Sequence, residues 1–204
     1  MSPRVVALVL LFAACARRVP PPAPPPRDYP GALVPPSQLP VDFLAQQSVE
    51  ARYGDRSVRF SAALQKRGDT LTLLGLTPFG TRAFLLEQRG VEVTFTPYLS
   101  RDLPFPPKNI LVDVQRAYFI GLPGAPLPDG EHLGVRDGEE VRERWSAGRL
   151  VERRFRRLAA DPPGEIVIAY EPGMIASVPP ATVRFHNGWF GYDLVIETRS
   201  YQAL

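Results

Sequence analysis

The 204-residue chain carries one cysteine, Cys15, and two histidines, His132 and His186. Nucleophilic catalysis needs a base beside its nucleophile. His132 falls in a loop and His186 on a strand, and no Gly-x-Ser-x-Gly elbow accompanies either. A zinc site needs clustered cysteine and histidine ligands, which the sequence does not supply. Glu139, Glu140 and Asp161 stand among arginines and read as solvated acids. No phosphate-cradling glycine loop is present. These residues predict neither an enzyme nor a metal or cofactor site. Two other positions carry unusual chemistry: Cys15, the sole thiol, and Phe79, an aromatic ring placed in a turn.

Cys15 sits at the end of an export signal. Met1-Ser2-Pro3-Arg4 precedes the apolar run Val5–Ala14, which closes on the small pair Ala13-Ala14. One cation, about ten apolar residues and a small-residue exit make a secretory signal. A membrane-spanning helix would need about 20. Leu11-Phe12-Ala13-Ala14-Cys15 resembles the lipobox of bacterial lipoproteins, with Phe12 where that family usually has Leu. The resemblance implies cleavage before Cys15 and acylation of its sulfur; the plainer alternative is an ordinary signal with an incidental cysteine. Ala16 follows, not Asp, and by analogy with enterobacterial sorting that implies the outer membrane, facing the periplasm. A single thiol forms no internal disulfide, so the folded part must be held by its core alone.

Prolines then dominate Val19–Pro40. Lacking amide protons, they join neither ladders nor helix interiors, and such a segment is extended at about 3.1 Å per residue. The expected organisation is signal peptide 1–14, acylated cysteine and tether 15–40, and one folded domain 41–204, long enough for a sizeable core. The formal charge of +3, with both signs mixed on an exported chain, argues against nucleic acid and is compatible with anionic lipid headgroups.

The elements of that domain read mainly as strands. Val49, Ala51 and Tyr53 alternate in the opening segment Val41–Tyr53. From Ser57 to Pro97, four short apolar runs lie between turn signals. Val58, Phe60, Ala62 and Leu64 share one parity, as do Val91, Val93 and Phe95, while Thr70–Leu76 and Arg82–Gln88 are apolar on both. Period two marks half-buried strands, and the outer turns at Gly68-Asp69 and Gly90 make this a four-stranded antiparallel meander. At its centre, Thr77-Pro78-Phe79-Gly80 fits a type I turn with Pro second and Gly fourth. Burying a phenylalanine stabilises by about 1.5–3 kcal/mol. Phe79 therefore either folds back over its own core or seeks an apolar partner outside.

The period then changes. Ile110, Leu111, Val114, Ala117 and Tyr118 form one face of a helix that begins near Pro106-Pro107 and ends by Gly121, with Lys108, Asp113, Gln115 and Arg116 as its wet face. Gly124–Gly138 reads as loop. Glu139–Trp145 and Arg149–Leu158 read as a hairpin, with Val141, Trp145, Val151 and Phe155 inside. Arg142, Arg144, Arg153, Arg154, Arg156 and Arg157 are expected in solvent. Glu165–Tyr170 reads as a strand and Pro172–Pro180 as a loop. Thr182–Asn187 and Tyr192–Ser200 flank a hairpin turn at Asn187-Gly188, with Trp189 and Phe190 near a rim. The fold class is mainly β (α+β): an incomplete antiparallel β-barrel or strongly curved sheet covered by one or more helices. Such a barrel can hold an apolar cavity.

Two motifs carry a family resemblance. Thr77-Pro78-Phe79-Gly80-Thr81 resembles the protruding Pro-Leu-Gly turn of LolB, the outer-membrane receptor for lipoproteins, and Gly121-Leu122-Pro123-Gly124 resembles the segment closing its helix. The likeness spans about Val49 to Tyr201. Leu76–Arg82 and the following helix also resemble a related family of bacterial lipoproteins with a domain of unknown function. Some of its members are thought to accompany polyene or fatty-acid-like lipid biosynthesis. The resemblance implies a LolA/LolB-like half-barrel with a lipid-sized cavity and a membrane-seeking turn, Pro78, Phe79 and Gly80. Phe60, Leu64, Leu73, Phe84, Val93 and Phe95 are the candidates for lining the cavity, or else plain core. The implied function is binding an acyl chain or lipidated cargo and aiding its transfer or insertion at the outer membrane. The implied partners are the membrane, the cargo and a periplasmic carrier protein. The alternative is a non-catalytic scaffold lipoprotein of the cell envelope with a filled core. An apolar cavity of roughly 300 Å³ or more separates the two.

Overall fold

Alternating apolar and polar side chains fold into a single sheet of eleven strands in the computed structural model, which describes residues 29–99, 106–158 and 164–204. The signal segment, Cys15 and Asp161 lie outside the described residues. The strands are β1 (Phe43–Tyr53), β2 (Arg56–Arg67), β3 (Thr70–Leu76), β4 (Arg82–Arg89), β5 (Glu92–Pro97), β6 (Gly130–Arg136), β7 (Glu139–Ser146), β8 (Arg149–Arg157), β9 (Glu165–Met174), β10 (Thr182–Asn187) and β11 (Tyr192–Ala203). Their spatial order is β5-β4-β3-β2-β1-β11-β10-β9-β8-β7-β6, so two meanders join where the last strand pairs with the first. Each pairing is antiparallel, and β5 and β6 are the two free edges.

The helix α1 (Pro107–Tyr118) lies in the concavity of this sheet. Pro106 caps it and Pro107 opens it, where a missing amide proton costs nothing. Its side chains bond to Gln88 on β4, Gln47 on β1, Asn187 on β10 and Glu139 on β7. One helix reaches strands that far apart in the order only if the sheet curls around it. The fold is an open half-barrel plugged by a helix, as expected.

Several local expectations are corrected. Gly124–Gly138 is not all loop: β6 occupies its second half as an edge strand, with Leu133 and Val135 turned to solvent. Its inward positions hold His132, Gly134 and Arg136, so alternation there carries no apolar signal. Strand β9 runs on through Pro172 to Met174, which pairs with Leu150 across an irregularity. That irregularity also places Leu150 rather than Val151 in the core. Val91 belongs to the β4–β5 turn and is exposed. Asn187 pairs with Tyr192, so the last hairpin has a four-residue loop. Asn187 Oδ1 accepts from the Trp189 and Phe190 amides, and Gly191 takes the positive φ of 68°.

Residues 29–39, expected as part of the tether, are packed instead. They run against the helix as a strap, burying Pro30, Leu33, Pro36 and Leu39. Proline removes donors but not apolar surface, so a proline-rich segment packs wherever its carbonyls find partners.

Candidate functional site

Between α1 and the first meander lies a cavity of about 1120 Å³. Its sheet wall is built from inward-facing positions: Val49 and Ala51 on β1; Val58, Phe60, Ala62 and Leu64 on β2; Leu73 on β3; Phe84 on β4. Phe185, Leu194 and Ile196 complete it from β10 and β11. Ile110, Val114, Ala117 and Tyr118 form the helical wall. Part of the helix face that amphipathicity marks for packing therefore faces open space.

Gly75 helps to keep that space clear. It pairs with Phe84 across β3–β4, and a Cβ there would stand 2.3 Å from the Phe84 ring. The ring instead lies across the bare glycine, edge-on to Phe60 at 6.0 Å. Phe60, Leu64, Leu73 and Phe84 thus meet at the cavity. Val93 and Phe95 do not line it: β5 is an edge strand, and Phe95 packs behind Phe84 at 6.5 Å between ring centres.

The polar face of the helix is bonded to both meanders: to Gln88 on β4 in the first, and to Asn187 on β10 and Glu139 on β7 in the second. The expected wet face is a correction: Asp113, Gln115 and Arg116 are all buried. Asp113 accepts from the Tyr29 and Tyr192 hydroxyls, from Asn187 at 2.9 Å and from Arg116 at 3.1 Å. Arg116 also donates to Glu139 at 2.7 Å and to the Pro30 carbonyl at 2.6 Å, and stacks on Tyr29 and Phe155. Burial raises the Asp113 and Glu139 carboxyls above the ordinary carboxylate range, against the pull of Arg116. Gln115 clamps the strap, exchanging bonds of 2.8 Å with the Val34 amide and carbonyl and donating to Gln88.

The helix C-terminus is held by a second buried pair. Arg153 donates to Glu143 at 2.7 Å and to the Arg116 carbonyl at 2.8 Å, while the Tyr170 hydroxyl donates to the Ala117 carbonyl. Arg153 and Glu139 were expected in solvent, and both are inside. Arg142, Arg144, Arg154 and Arg156 are exposed on the outer face, laced to Glu140 and Glu152.

The antiparallel order places the β1–β2, β3–β4 and β10–β11 turns at one end of the half-barrel. The cavity reaches this end at Tyr53, Arg56 and Val58, which are exposed. Two strands away, Gly80 donates to the Thr77 carbonyl at 2.9 Å and has φ 77°, so 77–80 is the type I turn expected, closed by a left-handed glycine. Phe79 at its apex is 93% exposed. Tyr98 and Leu99 are exposed beside β5's end, and Arg82 lies over the Tyr98 ring.

His132, half-buried on β6, bonds the Pro128 carbonyl, and His186, exposed on β10, bonds Asp193. Among the described residues, no helix is long and apolar enough to cross a membrane, and no three metal-binding side chains cluster.

Residues 44–200 match the family described as Protein of unknown function (DUF3261), and the chain belongs to that family. No curated protein matches it. Among solved structures it is similar to a LolA superfamily protein from Nitrosomonas europaea. Identity there is 10% and the TM-score 0.45, over 79% of this chain and 86% of that one. It is also similar to a domain from Vibrio parahaemolyticus named for outer-membrane lipoprotein sorting. In that case identity is 10% and the TM-score 0.41, over 80% and 85% of the two chains. Both likenesses are of outline, and the strand order and cavity stand without them.

Proposed function

We propose that the domain is a carrier, anchored to the outer membrane through acylated Cys15 and facing the periplasm. It holds an acyl chain or lipidated cargo between α1 and the first meander and passes it to the bilayer at the Phe79 end. The observation that carries this reading is the cavity of about 1120 Å³ with its aliphatic and aromatic walls. Small-molecule pockets run to about 300–1,000 Å³. An unfilled apolar space of this size forfeits packing contacts that a filled core would have, so an acyl chain is its natural occupant. The turn supports the second half of the reading. A ring that is 93% exposed gains about 1.5–3 kcal/mol by entering an apolar phase. The finer likeness to the LolB turn agrees with this, with Phe79 in place of leucine.

The test has two parts. Full-length protein purified gently should release an acyl lipid detectable by mass spectrometry; a chain that comes away empty and instead captures a protein partner favours the scaffold reading. Phe79→Glu should fold and bind lipid as before but lose transfer to acceptor vesicles. Unchanged transfer removes Phe79 from the mechanism.

A further inference from the structure

We propose that the cavity takes an amphiphile with an anionic head group, tail first, and that Arg56 holds the head at the mouth. The inference rests on the carrier reading above. Arg56 pairs with Tyr53 across the β1–β2 hairpin and stands on the inward parity of β2, in line with Val58, Phe60, Ala62 and Leu64. All five line the cavity. Along that row exposure falls from the open end inward: Val58 is 44% exposed, Ala62 4% and Leu64 1%. Eight residues of strand separate Arg56 from Leu64, about 26 Å at the usual rise. The row is a long apolar track with one cation at its outer end.

That cation is free. Among the described residues Arg56 makes no ion pair or side-chain hydrogen bond, unlike its neighbours. Arg59, on the outward parity, is bound to Glu50 at 2.8 Å, and Arg52 reaches the same carboxylate at 3.4 Å. Asp55 and Arg52 also line the mouth. The inner end offers a head group no cation among its lining residues. Gln47 already donates to the Tyr118 hydroxyl at 2.9 Å, and the Asp113 carboxyl is filled by four donors. An anion driven inward would lose its hydration without meeting a cation. At the mouth it meets a guanidinium fork shaped for carboxylate or phosphate.

Calorimetric titration of the full chain with dodecanoate, dodecyl phosphate and dodecanol tests this. At least one anion should bind about tenfold tighter than dodecanol, the scale of one charge-assisted contact. Arg56→Gln should erase that preference and leave dodecanol binding as it was, while Arg59→Gln changes neither. Preference for dodecanoate points to a free fatty acid, and preference for dodecyl phosphate to a phosphate-headed lipid. Equal binding of all three, or a preference that survives Arg56→Gln, overturns the head-group assignment alone. No binding of any of the three overturns the carrier reading with it.

Discussion

Glu143 and Arg153 face each other across β7–β8 in the interior, with the Trp145 indole and the Leu122 amide also donating to the carboxylate. Gly121 passes directly over the pair: a Cβ there would stand 2.1 Å from Glu143 Oε1 and 2.3 Å from Arg153 Nη2. Removing one partner of a buried pair costs about 3–5 kcal/mol because the other charge is left bare. Arg153→Met is expected to lose that much in urea unfolding, and adding Glu143→Leu should restore most of it. Gly121→Ala should cost about 1–3 kcal/mol by overpacking in the same measurement. Phe79→Glu should change stability by under about 0.5 kcal/mol, as an exposed substitution does. The buried charges had a readable signal that a solvated reading passes over. The parity that puts Val141 and Trp145 inside puts Glu143 between them. What alternation does not supply is the identity of its partner, since Arg153 lies on another strand in a register set by the hairpin.

At the scale of elements, α1 shows how far a hydrophobic stripe carries. Its boundaries follow from Pro106-Pro107 and the Leu122-Pro123-Gly124 stop, and its apolar face is legible. Its polar face is not, because a helix inside a curled sheet is covered on both sides. Polar residues on such a helix become the clamps that fix its height above the sheet. Gln115 is the clearest case, satisfying both backbone groups of Val34. Gln115→Leu should leave the Val34 amide without its partner and the Val34 carbonyl with Gln88 alone, at about 1–3 kcal/mol. The strap should then loosen first, seen as faster hydrogen exchange at Val34 than at the β1 and β2 amides. Strand β6 went unread for a related reason: as an edge with apolar residues facing out, it owes its place to ladder hydrogen bonds with β7 rather than to burial.

For the whole molecule, four phenols, three buried and Tyr29 half-buried, tie helix and strap to the sheet: Tyr29 and Tyr192 on Asp113, Tyr118 on Gln47 and Tyr170 on the helix end. Burial pushes Tyr170 up to about 12 and raises the other three well above the ordinary phenol range. A folded value above the unfolded one, about 10, means a contribution complete below pH 10 and lost as pH rises through the folded value. The fold should therefore give way in strong alkali, with the four phenols ionising together as circular dichroism is lost. Phenolate absorbance matching all tyrosines near pH 10, with the fold intact, would count against this network.

Neighbours along the chain dictate the period of most strands, the prolines that start and stop the helix, and the tight turn at 77–80, while the exposure of Phe79 at its apex does not follow from them. Tertiary structure alone decided which charges are inside, that the strap packs, and that the sheet curls far enough to leave space beneath the helix. Those outcomes depend on register and closure between residues far apart in sequence. There, a single contact such as Val49 opposite Ile196 joins two meanders whose own patterns do not refer to each other.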